Sequence, residues 1–267
     1  MVGVTGADRQ SFRSVFISDV HLGSRVCRAT ALREFLRSVR CETLVLVGDI
    51  VDLWSLKRSF YWPDSHSDVL RAIVDRAREG VRVVFVPGNH DHAFRALAGC
   101  VFSGVEIHRE FLHVTADGRR MLVMHGDEFD GIVHCHPLIA RLGVGIYDFV
   151  TDLNPFVDRV RGWFGRPPWS LAAALAQANP RARRYLQNYE EAAIATARHR
   201  EVDGIICGHI HHAAKKSANG VLYCNTGDWV GSCTALTESQ DGAFALASGL
   251  PQVAPLRAPS AIPARAA

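Results

Sequence analysis

Five short apolar runs of this chain are each followed closely by aspartate, asparagine or histidine. The runs cover residues 15–18, 44–47, 83–86, 121–124 and 204–207. Short runs of branched apolar side chains are typical of buried strands, and open α/β sheets bind their ligands just outside the carboxyl ends of the strands. Because carboxylate, amide and imidazole groups bind divalent metals, we expect a metal site at these strand ends.

The spacing of these polar residues supports the same interpretation. In extended backbone, residues two apart point to the same side, so Asp19 with His21 and His209 with His211 can each present two ligands to one place. A single aspartate after a strand more often caps a helix or forms a turn, and a lone histidine is usually a polar side chain with an ordinary partner. Five such strand ends in one chain favour a metal site over these alternatives.

Five sequence blocks together resemble the motifs of calcineurin-like metallophosphoesterases. The blocks are Asp19-x-His21, Gly48-Asp49-x-x-Asp52, Gly88-Asn89-His90-Asp91, His125 and Gly208-His209-x-His211. The resemblance extends over residues 14–247. It implies an α/β fold, a layered α/β/β/α sandwich of two mixed sheets with a helical cap insertion. It also implies a metal-dependent hydrolase of phosphoric esters or pyrophosphates.

The resemblance further implies that two divalent metal ions bind at these blocks. Asp49 would bridge the ions, because the two oxygens of a carboxylate carry negative charge to both cations. A donor set without cysteine suits Mn²⁺, our first expectation, and also iron or Zn²⁺. Two such ions can activate a water and clamp a phosphoryl oxygen. The remaining ligands would be Asp19, His21 and His211 for the first ion, and Asn89, His125 and His209 for the second.

Three further residues of the blocks are expected to act in catalysis. His90 would face the phosphate without binding metal, either as proton donor to the leaving oxygen or as a stabiliser of transition-state charge. Asp91 would orient the imidazole of His90, and Asp52 would orient a metal-binding histidine. The alternative for both aspartates is simple capping of the turn that follows.

A closer resemblance, to the UDP-2,3-diacylglucosamine hydrolase group, rests on residues 18–23 and 48–54, a helical insertion after residues 125–127, and Gly227-Asp228-Trp229. Members of this group cleave the pyrophosphate of a UDP-linked diacyl sugar in lipid A biosynthesis. They work at the inner face of the cytoplasmic membrane. The chain departs from the group in one respect, because the best-known members carry Asn-Arg where Asn89-His90 stands.

Three hypotheses of function follow from these resemblances. The first is hydrolysis of UDP-2,3-diacylglucosamine to UMP and 2,3-diacylglucosamine 1-phosphate, which the apolar insertion favours. The second is a phosphodiesterase or phosphatase for a soluble nucleotide or another small phosphoester. His90 favours this second hypothesis, since a histidine can donate a proton whereas an arginine binds phosphate as a planar fork. The third, ranked last because every ligand position is filled, is a non-catalytic binding scaffold.

Periodicity predicts the elements that position these residues. Residues 27–40 predict an amphipathic helix, and a second helix begins at Ser65 or Ser67. Residues 53–64 have no clean period and predict a loop over the site. Short runs after His211 predict antiparallel hairpins.

Three segments are set apart from the core of the domain, which we place at residues 14–247. Residues 1–13 are interpreted as an N-terminal extension. Residues 134–200 predict a helical cap insertion whose long last helix starts at Asn179-Pro180. Residues 248–267 are rich in proline and alanine and predict a disordered tail.

Substrate-binding residues are expected in the insertion and beside the metal blocks. Aromatic side chains of the insertion could line a groove for an acyl chain, and its arginines could meet a diphosphate or anionic lipid headgroups. The alternative, of nearly equal weight, is that these aromatics only pack the insertion onto the core. The residues assigned to substrate binding are Asn89, His90, Arg25, Trp163, Phe164 and Arg184.

Composition narrows the partners and the compartment. The 267 residues carry a formal net charge of +3, too mild for a concentrated basic face, so no nucleic-acid partner is expected. Seven cysteines at scattered spacing favour reduced thiols in the cytosol. No apolar run of the sequence is long enough to span a bilayer. We therefore expect a cytoplasmic protein that acts on a phosphorylated small molecule, at the membrane surface if the substrate is a lipid.

Overall fold

The computed structural model describes residues 9–131 and 180–249. Four α-helices, α1 to α4, cover Ala29–Ser38, Leu53–Arg58, Asp64–Arg78 and Pro180–His199, and two short 3-10 helices cover His92–Leu97 and Asp127–Gly131. The described strands, β1 to β12, are Gln10–Ile17, Val39–Val47, Arg82–Val86, Val101–Phe102, Val105–Ile107, Phe111–Val114, Arg120–Val123, Gly204–Cys207, Ala214–Ala218, Val221–Asn225, Thr234–Glu238 and Phe244–Ser248.

The strands form two mixed sheets, which confirms the predicted fold class. The larger sheet has the order β12-β11-β1-β2-β3-β5-β4, and the smaller has the order β6-β7-β8-β10-β9. Strands β1, β2 and β3 run parallel at the centre of the first sheet, as do β7, β8 and β10 in the second. Antiparallel strands flank these parallel centres, so the carboxyl ends of the central strands lie at one edge of each sheet.

Three hydrophobic layers hold the sandwich together, because successive strand residues point to opposite faces. In β2, Leu44 and Leu46 pack on the side of α1 and α3, whereas Val45 and Val47 pack between the two sheets. Helix α4 packs its apolar face on the outer side of the second sheet. Each sheet therefore has helices on one face and the other sheet on its second face, as in an α/β/β/α sandwich.

The region between β2 and the second large helix differs from the prediction. Residues 53–64 are not entirely loop, because α2 covers Leu53–Arg58. The carboxylate of Asp52 caps this helix by accepting the N–H of Ser55 at 2.7 Å. Since α2 buries none of its residues, its sequence carries no amphipathic pattern that could have revealed it.

The domain borders are partly described by the structure. Strand β1 begins at Gln10, paired with Val39, so the sheet extends into the residues 1–13 that we interpreted as an extension. The described part of helix α4 covers Pro180–His199, within the range of the last helix predicted for the insertion. Residues 132–179 and 250–267, with most of the predicted insertion and tail, lie outside the described residues. Within the described parts, no helix is both long and apolar enough to span a bilayer.

Candidate dinuclear metal centre

The polar blocks lie together because the loops after the central strands are joined by hydrogen bonds. In the first sheet, the N–H of Asp19 donates to the carbonyl of Gly48 at 3.0 Å. In the second sheet, the N–H of Gly208 donates to the carbonyl of His125 at 3.0 Å. The N–H of His209 crosses between the sheets to a carboxylate oxygen of Asp19, also at 3.0 Å. The strand ends of both sheets thus form one site.

Backbone conformation marks the predicted ligands as unusual. Left-handed backbone is rare for residues other than glycine and costs about 1 kcal/mol or more per residue. Such strain persists where the surrounding structure holds it, and it clusters at functional sites. Five of the seven predicted metal ligands have it: Asp19 (φ 52°), His21 (φ 54°), Asp49 (φ 54°), His209 (φ 69°) and His211 (φ 52°).

The first cluster of ligand atoms is formed by Asp19, His21 and His211. Their potential ligand atoms lie within 4.8 Å of one another. The Nε2 atom of His211 is 3.2 Å from Asp19 Oδ1 and 3.3 Å from His21 Nε2. These are the three residues predicted to complete the site of the first ion.

The second cluster is formed by Asp49, His125 and His209, again within 4.8 Å. The Nε2 atom of His125 is 3.3 Å from Asp49 Oδ2. The other ring nitrogen of His125, Nδ1, is 2.8 Å from the carbonyl oxygen of Val47. Because a carbonyl only accepts, Nδ1 carries a proton, and Nε2 is the nitrogen that remains for a metal ion beside Asp49.

Asp49 joins the two clusters through one of its oxygens. Oδ2 lies 3.9 Å from His21 Nε2 in the first cluster and 3.3 Å from His125 Nε2 in the second. Oδ1 accepts the backbone N–H of His90 at 2.8 Å. We expected one carboxylate oxygen of Asp49 for each ion. In the structure Oδ2 faces both clusters, because Oδ1 is held by the backbone N–H of His90.

Two glycines make room for this arrangement. Gly48 has left-handed backbone, and a Cβ atom there would collide with the imidazole of His125. A Cβ atom on Gly88 would collide with Asp49 Oδ1 and with His125. The glycines of the Gly-Asp and Gly-Asn blocks are therefore required by close packing around the ligands, in addition to their turns.

Unsatisfied polar atoms test whether this donor set fits divalent cations. Asp19 Oδ1, Asn89 Oδ1 and His125 Nε2 are buried and make no hydrogen bond within the part of the chain that the structure describes. Buried polar atoms are normally hydrogen-bonded, and each exception indicates a missing partner. Oxygen and imidazole donors without cysteine are the ligands of Mn²⁺, iron and Zn²⁺ in open sites, so the residues fit two such ions.

The electrostatics keep the central carboxylate ionised. Burial alone would raise the pKa of Asp49, but the facing imidazoles, above all His125, outweigh it and hold that pKa below its usual value. In return, the charge of Asp49 raises the pKa of His125 although burial opposes it. Metal binding needs the deprotonated carboxylate, and the site maintains that form.

Comparison with known proteins agrees with this geometry. The sequence model of the calcineurin-like phosphoesterase family matches residues 12–213, about three quarters of the chain. The chain belongs to this family. Membership explains the paired clusters, since the family and the donor set together imply divalent metal ions, without identifying the metal.

Individual relatives of the family cover smaller parts of the chain. A UDP-2,3-diacylglucosamine hydrolase of Aliivibrio fischeri is 26% identical over 121 residues, which are 42% of this chain and 47% of the relative. The DNA polymerase II small subunit of Methanothermobacter thermautotrophicus is 30% identical over 152 residues, 45% of this chain and 31% of the relative. This chain thus spans less than half the length of these relatives. A solved archaeal phosphodiesterase is 13% identical with a TM-score of 0.44, covering 88% of this chain and 98% of the other.

His90 lies beside Asp49, the predicted bridging ligand. Its Nε2 atom is 4.0 Å from Asp49 Oδ2, and its Nδ1 atom is 3.0 Å from Asp52 Oδ1. The other oxygen of Asp52 lies 3.4 Å from Nδ1 of His21. Asp52 therefore contacts a predicted ligand, as expected, and also the predicted catalytic histidine. The ring of Trp54 covers His90 at a centroid distance of 4.2 Å.

Asp91 occupies a different place from the one predicted. The expected contact with the His90 imidazole is made by Asp52 instead. Asp91 is fully buried, and its oxygens accept the backbone N–H groups of Ile50 at 2.7 Å and Gly88 at 2.6 Å. It ties the Asp49 block to the Asn89 block, so it shapes the backbone that carries two predicted ligands.

The predicted substrate residues are only partly described. Arg25 is exposed and lies over the ring of Tyr61, with its guanidinium carbon 4.4 Å from the ring centroid. Arg184 is exposed on α4. Trp163 and Phe164 lie outside the described residues. Within the described residues, neither arginine contacts the ligand clusters, so their role in substrate binding stays a prediction.

Two aspartates for which we predicted no role, Asp228 and Asp130, support the ligand loops. Asp228 accepts the N–H of Val230 at 2.9 Å and shapes the loop in which the N–H of Trp229 donates to the carbonyl of Asp19 at 3.0 Å. Asp130 Oδ2 lies 2.9 Å from His209 Nε2. The Gly227-Asp228-Trp229 run was noticed only as part of the resemblance, and Asp130 has no local signal because its partner lies 79 positions away.

Proposed function

We propose that this chain is a metal-dependent hydrolase that cleaves the pyrophosphate bond of UDP-2,3-diacylglucosamine, giving UMP and 2,3-diacylglucosamine 1-phosphate in lipid A biosynthesis. The observation that best supports a hydrolase is the position of Asp49 Oδ2. It lies 3.9 Å from His21 Nε2 in one ligand cluster and 3.3 Å from His125 Nε2 in the other. Two divalent ions held there, with Mn²⁺ as our expectation, would supply an activated water and charge stabilisation for in-line displacement at phosphorus.

The residues of the chain are proposed to bind the ions and to donate a proton to the leaving group. Asp49, Asp19 and the ligating histidines hold the charged centre, and Asn89 offers a neutral oxygen to the second ion. Asp52 accepts from His90 Nδ1, which leaves Nε2 directed toward the centre, where the leaving oxygen needs a proton. Burial lowers the pKa of His90, but the hydrogen bond to Asp52 and the charge of Asp49 outweigh it and raise that pKa. His90 is thereby kept ready to donate a proton.

The lipid-sugar substrate is supported by the similarity to a named relative and by the sequence motifs. The relative from Aliivibrio fischeri bears that substrate in its name, and the closer motif resemblance is to the same group. Aromatic residues of the insertion, Trp163 and Phe164, are proposed to meet the acyl chains, and Arg25 and Arg184 the diphosphate. Such a substrate would bring a cytoplasmic protein to the inner face of the membrane.

A second candidate function is hydrolysis of a soluble nucleotide or another small phosphodiester. The observation that favours it is the pair of His90 and Trp54, because Trp54 is 49% exposed beside the catalytic imidazole. An exposed indole can stack on a planar base, and stacking is worth about 1–3 kcal/mol per base. The histidine in place of arginine at position 90 favours the same candidate.

A substrate panel decides between these functions. Purified protein loaded with Mn²⁺ is assayed against UDP-2,3-diacylglucosamine, its deacylated sugar nucleotide and a simple aryl phosphodiester. The proposed function requires that the diacylated substrate has the highest kcat/KM. Preference for the aryl phosphodiester or the deacylated compound would transfer the assignment to the soluble-substrate candidate. Absence of hydrolysis in the presence of two bound ions would support the scaffold hypothesis.

The insertion is tested on the same panel. Replacing Trp163 and Phe164 by serine, in a variant whose fold is verified by circular dichroism, is expected to lower kcat/KM for the diacylated substrate strongly. The loss should be small for the aryl phosphodiester, which has no acyl chain to bury. A parallel loss on both substrates would mean that these aromatics pack the insertion and do not bind lipid.

A further inference from the structure

Asp130 connects a predicted metal ligand to the helix that follows the insertion. It lies in the 3-10 helix Asp127–Gly131, close in sequence to His125. Its Oδ2 atom is 2.9 Å from Nε2 of His209, and its Oδ1 atom accepts the hydroxyl of Tyr185, on α4, at 2.7 Å. The two oxygens of one carboxylate therefore hold a side chain of the metal centre and a side chain of α4.

The contact with Asp130 determines which nitrogen of His209 can bind metal. An ionised carboxylate only accepts hydrogen bonds, so Nε2 of His209 carries the proton and Nδ1 keeps its lone pair. His125 uses its other ring nitrogen for its contact with the protein, because Nδ1 donates to the carbonyl of Val47 and Nε2 faces Asp49. The two histidines of the second cluster are thus held through opposite ring nitrogens, His125 through Nδ1 and His209 through Nε2.

Helix α4 is anchored against the same ligand loops by a second tyrosine. The hydroxyl of the buried Tyr189 lies 3.4 Å from the carbonyl oxygens of His125 and of Gly208. Its ring packs against His209 at a centroid distance of 6.1 Å. Since Tyr185 and Tyr189 are one turn apart, α4 presents both to the second cluster, and a shift of the helix would move Asp130 and the ligand loops together.

We propose that Asp130 is a positioning residue that fixes His209 as an Nδ1 ligand of the second ion, and that Tyr185 links this ligand to α4. The proposal rests on the proposed function only in so far as two ions bind, and it does not depend on the substrate. Through Tyr185, movement of the helix at the end of the insertion is transmitted to the geometry of the second site.

Metal titration tests the role of Asp130 directly. Metal-free wild-type protein and Asp130→Ala are titrated with Mn²⁺ by calorimetry. The second equivalent should bind roughly 10–100-fold more weakly in the variant, the usual loss when the hydrogen-bond partner of a ligating histidine is removed. The first equivalent, bound by Asp19, His21 and His211, should be unchanged. Glu128→Gln, in the same 3-10 helix but away from the ligands, should titrate like the wild type.

Graded variants separate positioning from folding. Asp130→Asn retains an oxygen that can accept the proton of His209 Nε2, so it should recover part of the lost affinity. Tyr185→Phe removes only the hydroxyl on the far side of the carboxylate and should give a smaller loss than Asp130→Ala. Loss of both equivalents alike in Asp130→Ala and Asp130→Asn would point to damaged folding and contradict the proposal.

The tautomer of His209 supplies a readout without metal or substrate. In ¹⁵N spectra of metal-free wild-type protein at mildly alkaline pH, we expect the His209 proton on Nε2, and in Asp130→Ala a mixture of both tautomers. An unchanged tautomer in Asp130→Ala, or wild-type affinity for the second Mn²⁺, would overturn the proposal. Failure of the wild type to bind two ions would instead count against the proposed function, while the spectra still test Asp130.

Discussion

The sandwich buries two groups of histidines and carboxylates that use their polar atoms in opposite ways. The Glu238 cluster (Arg13, Ser14, His113 and Glu238) lies between the sheets, beside the middle of β1. Glu238 Oε2 is 2.7 Å from His113 Nε2, and Oε1 accepts from Arg13 at 2.8 Å and from the N–H of Ala116 at 2.9 Å. Both oxygens of the buried carboxylate are thus satisfied within the protein, and His113 and Glu238 sit in ordinary strands.

At the metal centre, some aspartate and histidine side chains have polar atoms without a hydrogen bond, and several of these residues have strained backbone. Asp19 Oδ1 and His125 Nε2 are buried without a hydrogen bond, counted over the residues 9–131 and 180–249. Asp19 and Asp49 both adopt left-handed backbone. Burial and residue type are therefore shared by a structural cluster and a metal site. The metal site is distinguished from the Glu238 cluster by buried polar atoms without a hydrogen bond and by strained loops.

The largest effect that this contrast predicts comes from Asp49→Asn. It weakens the carboxylate oxygen that faces both clusters, so turnover should fall at least about 10⁴-fold, as when a key member of a catalytic unit is removed. Bound Mn²⁺, measured by elemental analysis, should fall below two equivalents. Glu238→Gln is the matched control, and it should keep turnover at saturating Mn²⁺. Near-normal activity of Asp49→Asn would refute the assignment of the bridging ligand.

His90→Ala sharpens the contrast within the metal centre, since His90 is predicted to act on substrate and not on the ions. The value of kcat should fall roughly 10²–10⁴-fold, the range for a lost acid–base group, while two equivalents of Mn²⁺ remain bound. The loss should shrink for substrates whose leaving group needs no proton. An equal loss for good and poor leaving groups would assign His90 to charge stabilisation.

Glu238→Gln should in turn lower stability more than function. It removes one partner of a buried ionic contact, and such changes cost about 3–5 kcal/mol when the remaining charge stays buried. Because glutamine keeps an accepting oxygen, we expect about 2–3 kcal/mol in the free energy of unfolding measured with urea. A stability equal to the wild type would show that the two clusters do not differ in the way described.

A pH series gives the smallest and most gradual effect. Burial opposes the charge of Glu238, but hydrogen bonds from His113, Ser14 and the backbone of Ala116 outweigh it and lower its pKa from 4.5 to about 2. A carboxylate with a lowered folded-state pKa stabilises the protein above its unfolded-state pKa. The stability difference between wild type and Glu238→Gln should therefore be largest well above pH 4.5 and decrease as the pH falls through 4.5 toward 2. A difference that grows in that interval would contradict the lowered pKa.

The features that could be predicted from the sequence are those encoded by residues close together in the chain. Five strand ends were recognisable because apolar runs and the residues after them are neighbours in the chain, and α4 was predicted from an asparagine-proline start. The short strands β4, β5 and β6 were not predicted, because none of them contains a run of four apolar residues. Asp91 was assigned to its sequence neighbour His90, whereas its partner Ile50 lies 41 positions away.

The left-handed ligand loops have a consequence for the life of the protein in the cell. Without ions, their strain and unpaired atoms favour local opening, and opened loops are where proteases cut. Bound ions favour the closed form in proportion to their concentration over their dissociation constant. We therefore expect the half-life of this protein to track the supply of its metal, so that a starved cell would degrade the idle enzyme and recover its amino acids.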